Sequence, residues 1–284
     1  MLSRRFHTPP LSGLVPLPSD FVQLPYLQSV GVDLSSPDET NFIDTGFAPS
    51  VSTEVEIDYE ITSTTGSSDS FWPAFGSRGS SYQFWVYYRF VSGGWSFRRT
   101  KANTEHLIER SMNARSSIVV DGNTMTIGSD VVTATAEAFT TDNSMFVFAV
   151  NNAMMPQYFA YAKCYSCRIW DDGVLVRDFL PCERASDGKQ GFWDQVYGVF
   201  YPLLIPNRIY YAYMGSFGGS RYRVQSSNPL ASDVTITGYR SDSSSTKFTL
   251  TCTKGNRGFG TLGYVPKVTT IEPRSDDTYY YYWY

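Results

Sequence analysis

Charge, cysteine and histidine are all scarce in this 284-residue chain, and each scarcity closes off a class of function. Charged residues make up 18% of the sequence, and 27 acids against 23 lysines and arginines leave a net charge of -4. No basic field is present to neutralise a phosphate backbone, so nucleic acid is not expected as a partner. No apolar run approaches the roughly 18 residues that span a bilayer, and no membrane insertion is expected. Four cysteines, Cys164, Cys167, Cys182 and Cys252, are too few for the disulfide framework of a small secreted scaffold. His7 and His106 are the only histidines, so a Ser-His-Asp or Cys-His site would rest on His106, and nothing near it in sequence supports one. Neither a G-x-x-x-x-G-K-[ST] loop nor a strand-anchored G-x-G-x-x-G occurs, so no cofactor is expected. The basic start Met1–His7 is followed by Pro9, Pro10, Pro16, Pro18 and Pro25 rather than an apolar stretch. No signal peptide is expected, and synthesis in the cytosol is.

Helical periodicity is also nearly missing, with one or two turns expected at Thr104–Arg110. Period-two alternation takes its place. Thr53-Glu54-Val55-Glu56-Ile57-Asp58-Tyr59-Glu60-Ile61 alternates apolar and polar side chains over a whole strand. Further runs of this kind fall at 82–90, 95–100, 117–120, 124–127, 131–136, 145–151, 158–170 and 174–180, separated by turn signals such as Asp121-Gly122-Asn123 and Asp172-Gly173. The pattern predicts an all-β, antiparallel two-sheet jelly-roll sandwich over residues 26–215. Residues 1–25, with five prolines, read as an extended arm tipped by Arg4 and Arg5 that is expected to dock onto another protein. Ser216–Ser220 reads as a linker to a small β module at 221–284, whose six-aromatic tail ends in Tyr282, Trp283 and Tyr284. So much ring area is costly in water, so the tail is expected to lie on its own module or on a neighbouring subunit.

Two blocks carry a resemblance. Leu24-Pro25-Tyr26-Leu27-Gln28-Ser29 with Asn41-Phe42-Ile43-Asp44-Thr45-Gly46 resembles the opening of the concanavalin A-like lectin/glucanase superfamily in its laminin-G-like form. The stretch Tyr165–Cys182, which includes Ile169-Trp170-Asp171-Asp172-Gly173-Val174-Leu175-Val176-Arg177-Asp178-Phe179, is similar to the closing strands of the version common in phage and gut-bacterial surface proteins. Gly191-Phe192-Trp193-Asp194 and Phe200-Tyr201 extend that similarity. Such a resemblance implies a jelly roll often attached to virions or cell surfaces, and no single activity. Pro202 and Leu203 stand where the family usually has Thr-Asn, and the C-terminal module inherits nothing from it.

Chemistry-bearing residues have competing readings. Glu56, Asp58 and Glu60 spell the E-[ILV]-D-x-E string of retaining glucanases and share one strand face, as a nucleophile and an acid/base must. Any solvent-facing acidic strand gives the same letters, and the wet face is the preferred reading. Cys164 and Cys167, an odd number of residues apart, are expected on opposite faces as buried thiols, with no metal. Asp121-Gly122-Asn123 reads as a type I′ turn in preference to a calcium half-site. Arg177, among apolar neighbours, requires a carboxylate partner. In the 82–90 run, Tyr82, Phe84, Val86, Tyr88 and Phe90 read as core. Gln83, Trp85, Tyr87 and Arg89, with Trp72 nearby, read as an aromatic platform for a glycan or a protein partner.

Together these features predict a non-enzymatic, virion-associated structural or adhesive protein of a bacteriophage, such as a capsid decoration, head fibre or tail component. Its expected partners are other virion proteins and further copies of itself. A carbohydrate-binding receptor-recognition module is the first alternative, and a glucanase using Glu56, Asp58 and Glu60 the second.

Overall fold

The computed structural model describes residues 13–30, 41–63, 71–79, 82–99, 106–135, 138–152, 155–204, 207–216, 220–226, 233–240, 243–253, 256, 258–262, 266–270 and 280–282. The chain divides into two compact units, the first formed mainly by the chain up to Leu203 and the second mainly by Leu204–Tyr284.

The first unit opens with β1 (Phe21–Gln23), β2 (Leu27–Val30), β3 (Ile43–Asp44), β4 (Thr53–Ser63), β5 (Phe71–Arg78) and β6 (Gln83–Arg89). It continues with β7 (Gly94–Arg98), β8 (His106–Glu109), β9 (Ser116–Asp121), β10 (Thr124–Ile127), β11 (Asp130–Thr133) and β12 (Phe146–Val147). β13 (Val150–Asn152), β14 (Met155–Gln157), β15 (Tyr161–Asp171), β16 (Val174–Arg184), β17 (Lys189–Asp194) and β18 (Val199–Pro202) complete it. One sheet runs β11-β10-β9-β4-β15-β16-β17-β18, with β1 against β16 and β2 against β15. The other runs β14-β13-β5-β6-β7-β8, with β12 joining β3 to β5. This is the two-sheet antiparallel sandwich that the alternation predicts, with one parallel pairing at β13–β5.

Alternation explains how β4 works. Val55, Ile57, Tyr59 and Ile61 enter the core between the sheets, and the acids between them stay half exposed. The core is completed by Phe84, Val86 and Tyr88 of β6, Trp95 and Phe97 of β7, and Cys164, Cys167 and Ile169 of β15. Tyr59 is buried and satisfies its hydroxyl by donating to the Pro73 carbonyl at 2.9 Å. Pro73 itself sits beside a bulge in β5, where a missing N–H is tolerated.

Several local expectations are corrected. The arm is not free over its described part. β15 pairs with β2 at one end and with β16 at the other, and β1 lies against the far end of β16, so the segment 21–30 fills the fork between β15 and β16. Pro25 falls between the two short strands, where no ladder bond is lost. Leu24 N–H donates to the Pro181 carbonyl at 2.9 Å, and Val15 accepts from the Trp193 indole at 3.1 Å. Arg4 and Arg5 lie outside the described residues. The turn expected near Thr104–Arg110 is instead an edge strand, β8, because Ile108 is needed in the core.

At Asp172-Gly173 both residues have positive φ, as a type I′ turn requires. In the β9–β10 turn only Gly122 does, at 59°, which fits a type II′ turn better than the expected I′.

The second unit contains β19 (Asn207–Ser216), β20 (Ser220–Ser226), β21 (Val234–Arg240), β22 (Ser243–Cys252), β23 (Gly258–Leu262), β24 (Pro266–Thr270) and β25 (Tyr280–Tyr282). Its sheets run β23-β20-β19-β25 and β22-β21-β24. Ser216 pairs with Ser220, so the expected linker joins two paired strands and the unit starts earlier than residue 221. Tyr280–Tyr282 pairs in parallel with Asn207–Ile209, which places the backbone of that tail strand in its own module. Trp283 and Tyr284 lie outside the described residues.

Candidate functional site

The acidic strand is the natural place to look for chemistry, and its neighbours decide what it can do. On the outer face of the larger sheet, Glu56, Asp58 and Glu60 of β4 stand beside β15. Arg115, just ahead of β9, donates from Nε and Nη2 to the two carboxylate oxygens of Asp58, at 2.8 and 2.5 Å. Its guanidinium also lies 3.9 Å from the Tyr165 ring centroid. The Tyr165 hydroxyl donates to Glu60 Oε2 at 2.5 Å. Arg168 lies opposite both Glu56 and Asp178 in register, 4.0 Å from the first carboxylate and 3.2 Å from the second. Burial, then the hydrogen bond to Glu60, push the Tyr165 hydroxyl up to about 12, so it is neutral at physiological pH.

Each acid of the motif therefore has a cationic or hydroxyl partner. A retaining glycosidase needs one carboxylate free to attack the sugar and one acid free to protonate the leaving group. The three side chains alternate with Arg115, Tyr165 and Arg168 in a cross-strand charge network. Glu54, at the end of the same row, is raised above the usual carboxylate range by partial burial and by the nearby charge of Asp121.

The aromatic platform is placed on the expected face and is not open. Trp85 and Tyr87 point away from the main core, yet they are 1% and 0% exposed. With Val150 and Phe71 they form a second, smaller cluster on the outside of the second sheet. Trp85 and Tyr87 lie 4.1 Å apart between ring centroids, and Tyr158 stacks on Trp85 at 5.8 Å. Arg98 covers Trp85 and Tyr87 at 5.6 and 5.4 Å, Arg78 reaches Trp85 at 6.0 Å, and Arg89 lies 5.6 Å from Phe71. The Trp85 indole donates to Gln83 Oε1 at 3.1 Å. The faces of these rings lie against the chain's own arginines and aromatics, so the platform expected to meet a glycan, a covering loop or a protein partner is a packed cluster among the described residues. Trp72 belongs to the main core, and Phe90, expected there, is 52% exposed.

Arg177 finds the carboxylate it requires. Its Nε is 3.6 Å from Asp194 Oδ2, and it donates to the carbonyls of Thr45, Val176 and Gly46 at 3.0, 2.7 and 3.3 Å. Asp194 is 0% exposed, and its Oδ1 accepts from the backbone N–H groups of Asp178 and Val196 at 3.2 and 3.0 Å. Tyr197 and Tyr201 lie 5.0 and 5.7 Å from the guanidinium. The Arg177-Asp178 and Gly191-Phe192-Trp193-Asp194 motifs thus meet as a structural corner that ties β16, β17 and the Thr45-Gly46 turn together.

Cys164 and Cys167 both enter the core, against the expectation of opposite faces. A bulge between Cys164 and Ser166 adds one residue and restores the same parity. All four cysteines are free and buried, and desolvation raises the thiols, Cys182 to about 12, so none is a ready nucleophile.

The sequence reading named neither Arg115 nor Tyr165 as a site residue. Arg115 lies 57 positions from Asp58, so no local spacing signals their pairing. No protein-family model matches the chain, and no curated protein matches it.

Proposed function

We propose that the chain is a non-enzymatic structural and adhesive protein of a bacteriophage particle, a capsid decoration, head fibre or tail component built on a concanavalin A-like jelly roll. The observation that carries the non-enzymatic part is the network on the outer face of the larger sheet, where Arg115, Tyr165 and Arg168 occupy the carboxylates of Asp58, Glu60 and Glu56. The resemblance of the Tyr165–Cys182 block to phage and gut-bacterial surface modules supports the family and the particle setting. Two β units in tandem suit a display protein, because neither needs a cleft to serve as a spacer or contact surface. Other particle proteins and further copies of the chain are its proposed partners.

Mass spectrometry of purified phage particles that encode the chain tests this reading. Recovery at a fixed copy number relative to the major capsid protein supports it. Absence from particles, with the chain found free in the lysate, contradicts it.

A further inference from the structure

Aspartate precedes glycine at three hairpin turns of the first unit, Asp121-Gly122, Asp172-Gly173 and Asp187-Gly188, and the structure restrains the three steps differently. Between β16 and β17, both groups of the third step are held. Arg184 donates from Nε and Nη2 to the two carboxylate oxygens of Asp187, at 3.0 and 2.7 Å, and the Lys189 N–H donates to Oδ1 at 3.3 Å. The Gly188 N–H donates to the Arg184 carbonyl at 2.8 Å. Between β9 and β10, Asp121 is a strand residue paired in register with Thr124, whose hydroxyl donates to the Asp121 carbonyl at 2.9 Å. That bond holds the peptide plane that joins Asp121 to Gly122.

The middle step has no such restraint. Asp172 and Gly173 are the two central residues of the β15–β16 turn, beyond the last ladder pair, Asp171 with Val174. Both are exposed, and so is Val174. Among the described residues, no hydrogen bond holds the Asp172 carboxyl, the Asp172 carbonyl or the Gly173 N–H. Space is open on the side where Gly173 would carry a side chain, out to 4 Å. Glycine also leaves its own nitrogen unshielded, because it has no Cβ.

We propose that Asp172 is a site of spontaneous isomerisation, at which the backbone reroutes through the aspartate side chain. The Gly173 nitrogen attacks Asp172 Cγ. An N–Cγ bond forms, the Cγ–OH bond breaks, and the hydroxyl leaves with the amide proton as water. Solvent water then opens the cyclic imide. Where it breaks the bond between the Gly173 nitrogen and the Asp172 main-chain carbonyl carbon, the chain continues through Cγ as isoaspartate. One water leaves and one returns, so mass and oxidation state are unchanged. The product lengthens the turn by one backbone atom, which a two-residue type I′ loop cannot absorb without opening the Asp171–Val174 pair. The inference is independent of the particle-protein reading.

The test is peptide mapping of the full chain after prolonged incubation, folded in buffer and, in parallel, unfolded in urea. Trypsin releases the three steps in separate peptides, Ser116–Lys163, Ile169–Arg177 and Ala185–Lys189. Chromatography separates isoaspartyl from aspartyl peptides of equal mass, and electron-transfer fragmentation assigns the position.

In the folded chain, isoaspartate should accumulate at Asp172 ahead of Asp121 and Asp187. Expelling water draws on the protonated carboxyl, and the Arg184 hydrogen bonds hold Asp187 down to about 2. At about pH 5 that leaves roughly tenfold to a hundredfold fewer neutral carboxyls than an ordinary aspartate has. Urea should therefore speed Asp187 by at least that order, and Arg184→Gln should speed it in the folded chain. Isoaspartate appearing at Asp121 or Asp187 as fast as at Asp172 in the folded wild type overturns the proposal. So does a folded Asp172 that stays unmodified while the same step isomerises in urea.

Discussion

Arg115 holds Asp58 by two hydrogen bonds while its guanidinium covers the ring of Tyr165, whose hydroxyl in turn holds Glu60. One cation therefore fixes the middle acid of β4 and the group that binds the last one. The consequence is electrostatic as well as geometric, because a row of carboxylates on one strand face repels itself unless cations or donors are interleaved.

The Tyr165 hydroxyl reports this arrangement. A 295 nm titration difference between wild type and Tyr165→Phe should show a midpoint of about 12. Glu60→Gln should move that midpoint down without restoring the ordinary value, since burial is the larger cause and remains. The folded pKa lies above the unfolded one, so the stabilisation is complete below the ordinary tyrosine value, about 10, and is lost as pH rises through 12. A midpoint near 10 in wild type would contradict both the desolvation of the Tyr165 hydroxyl and its bond to Glu60.

Asp194 should be sensitive to what replaces it. Asp194→Ala removes both the partner of half-buried Arg177 and the acceptor of two backbone N–H groups, and should cost about 3–5 kcal/mol in urea unfolding. Asp194→Asn keeps an oxygen acceptor and should cost about 1–2 kcal/mol. Burial raises the Asp194 carboxyl, so ionising it is harder folded than unfolded. Wild type should therefore lose stability relative to Asp194→Asn as pH rises through that raised value. Equal costs for the two substitutions would contradict this corner's dual role.

Trp85→Ala tests the closed platform. A fully buried indole packed on Tyr87, Tyr158 and Arg98 should cost about 3–5 kcal/mol when truncated. A fold that survives with unchanged stability would return Trp85 to the surface.

Phe21 tests the N-terminal wedge. Its ring meets Trp193 at 5.4 Å and Phe200 at 5.0 Å, and it is half exposed. Phe21→Ala should cost about 1–2 kcal/mol, below the roughly 3–5 kcal/mol of a fully buried ring. Deletion of residues 13–23 should cost more, because the Val15 bonds to Gln195 and to the Trp193 indole and the β1–β16 ladder go with it. No change on deletion would mean the fork between β15 and β16 closes without β1.

What the sequence makes legible follows from how local the cause is. Strand β4 is readable because burial of one face imposes period two on adjacent letters. The need of Arg177 for a carboxylate is readable because its apolar neighbours lie on the same strand face, although the partner itself, Asp194, lies on β17. Openness of the 82–90 run is not readable, since Phe71, Tyr158, Arg78 and Arg98 come from other strands and loops. Neither is the bulge at Cys164–Ser166, which changes parity without any glycine to announce it. The Pro-rich start looks unpaired because proline removes a donor, yet it is accommodated where two short strands are offset around Pro25.

The central claim is that the carboxylates of β4 are structural. Its most direct test is reducing-sugar release from soluble mixed-linkage and laminarin-type β-glucans by the full chain, beside Glu56→Gln and Glu60→Gln. The account predicts no release above the buffer background from any of the three proteins. Release by wild type that disappears in either variant would contradict it.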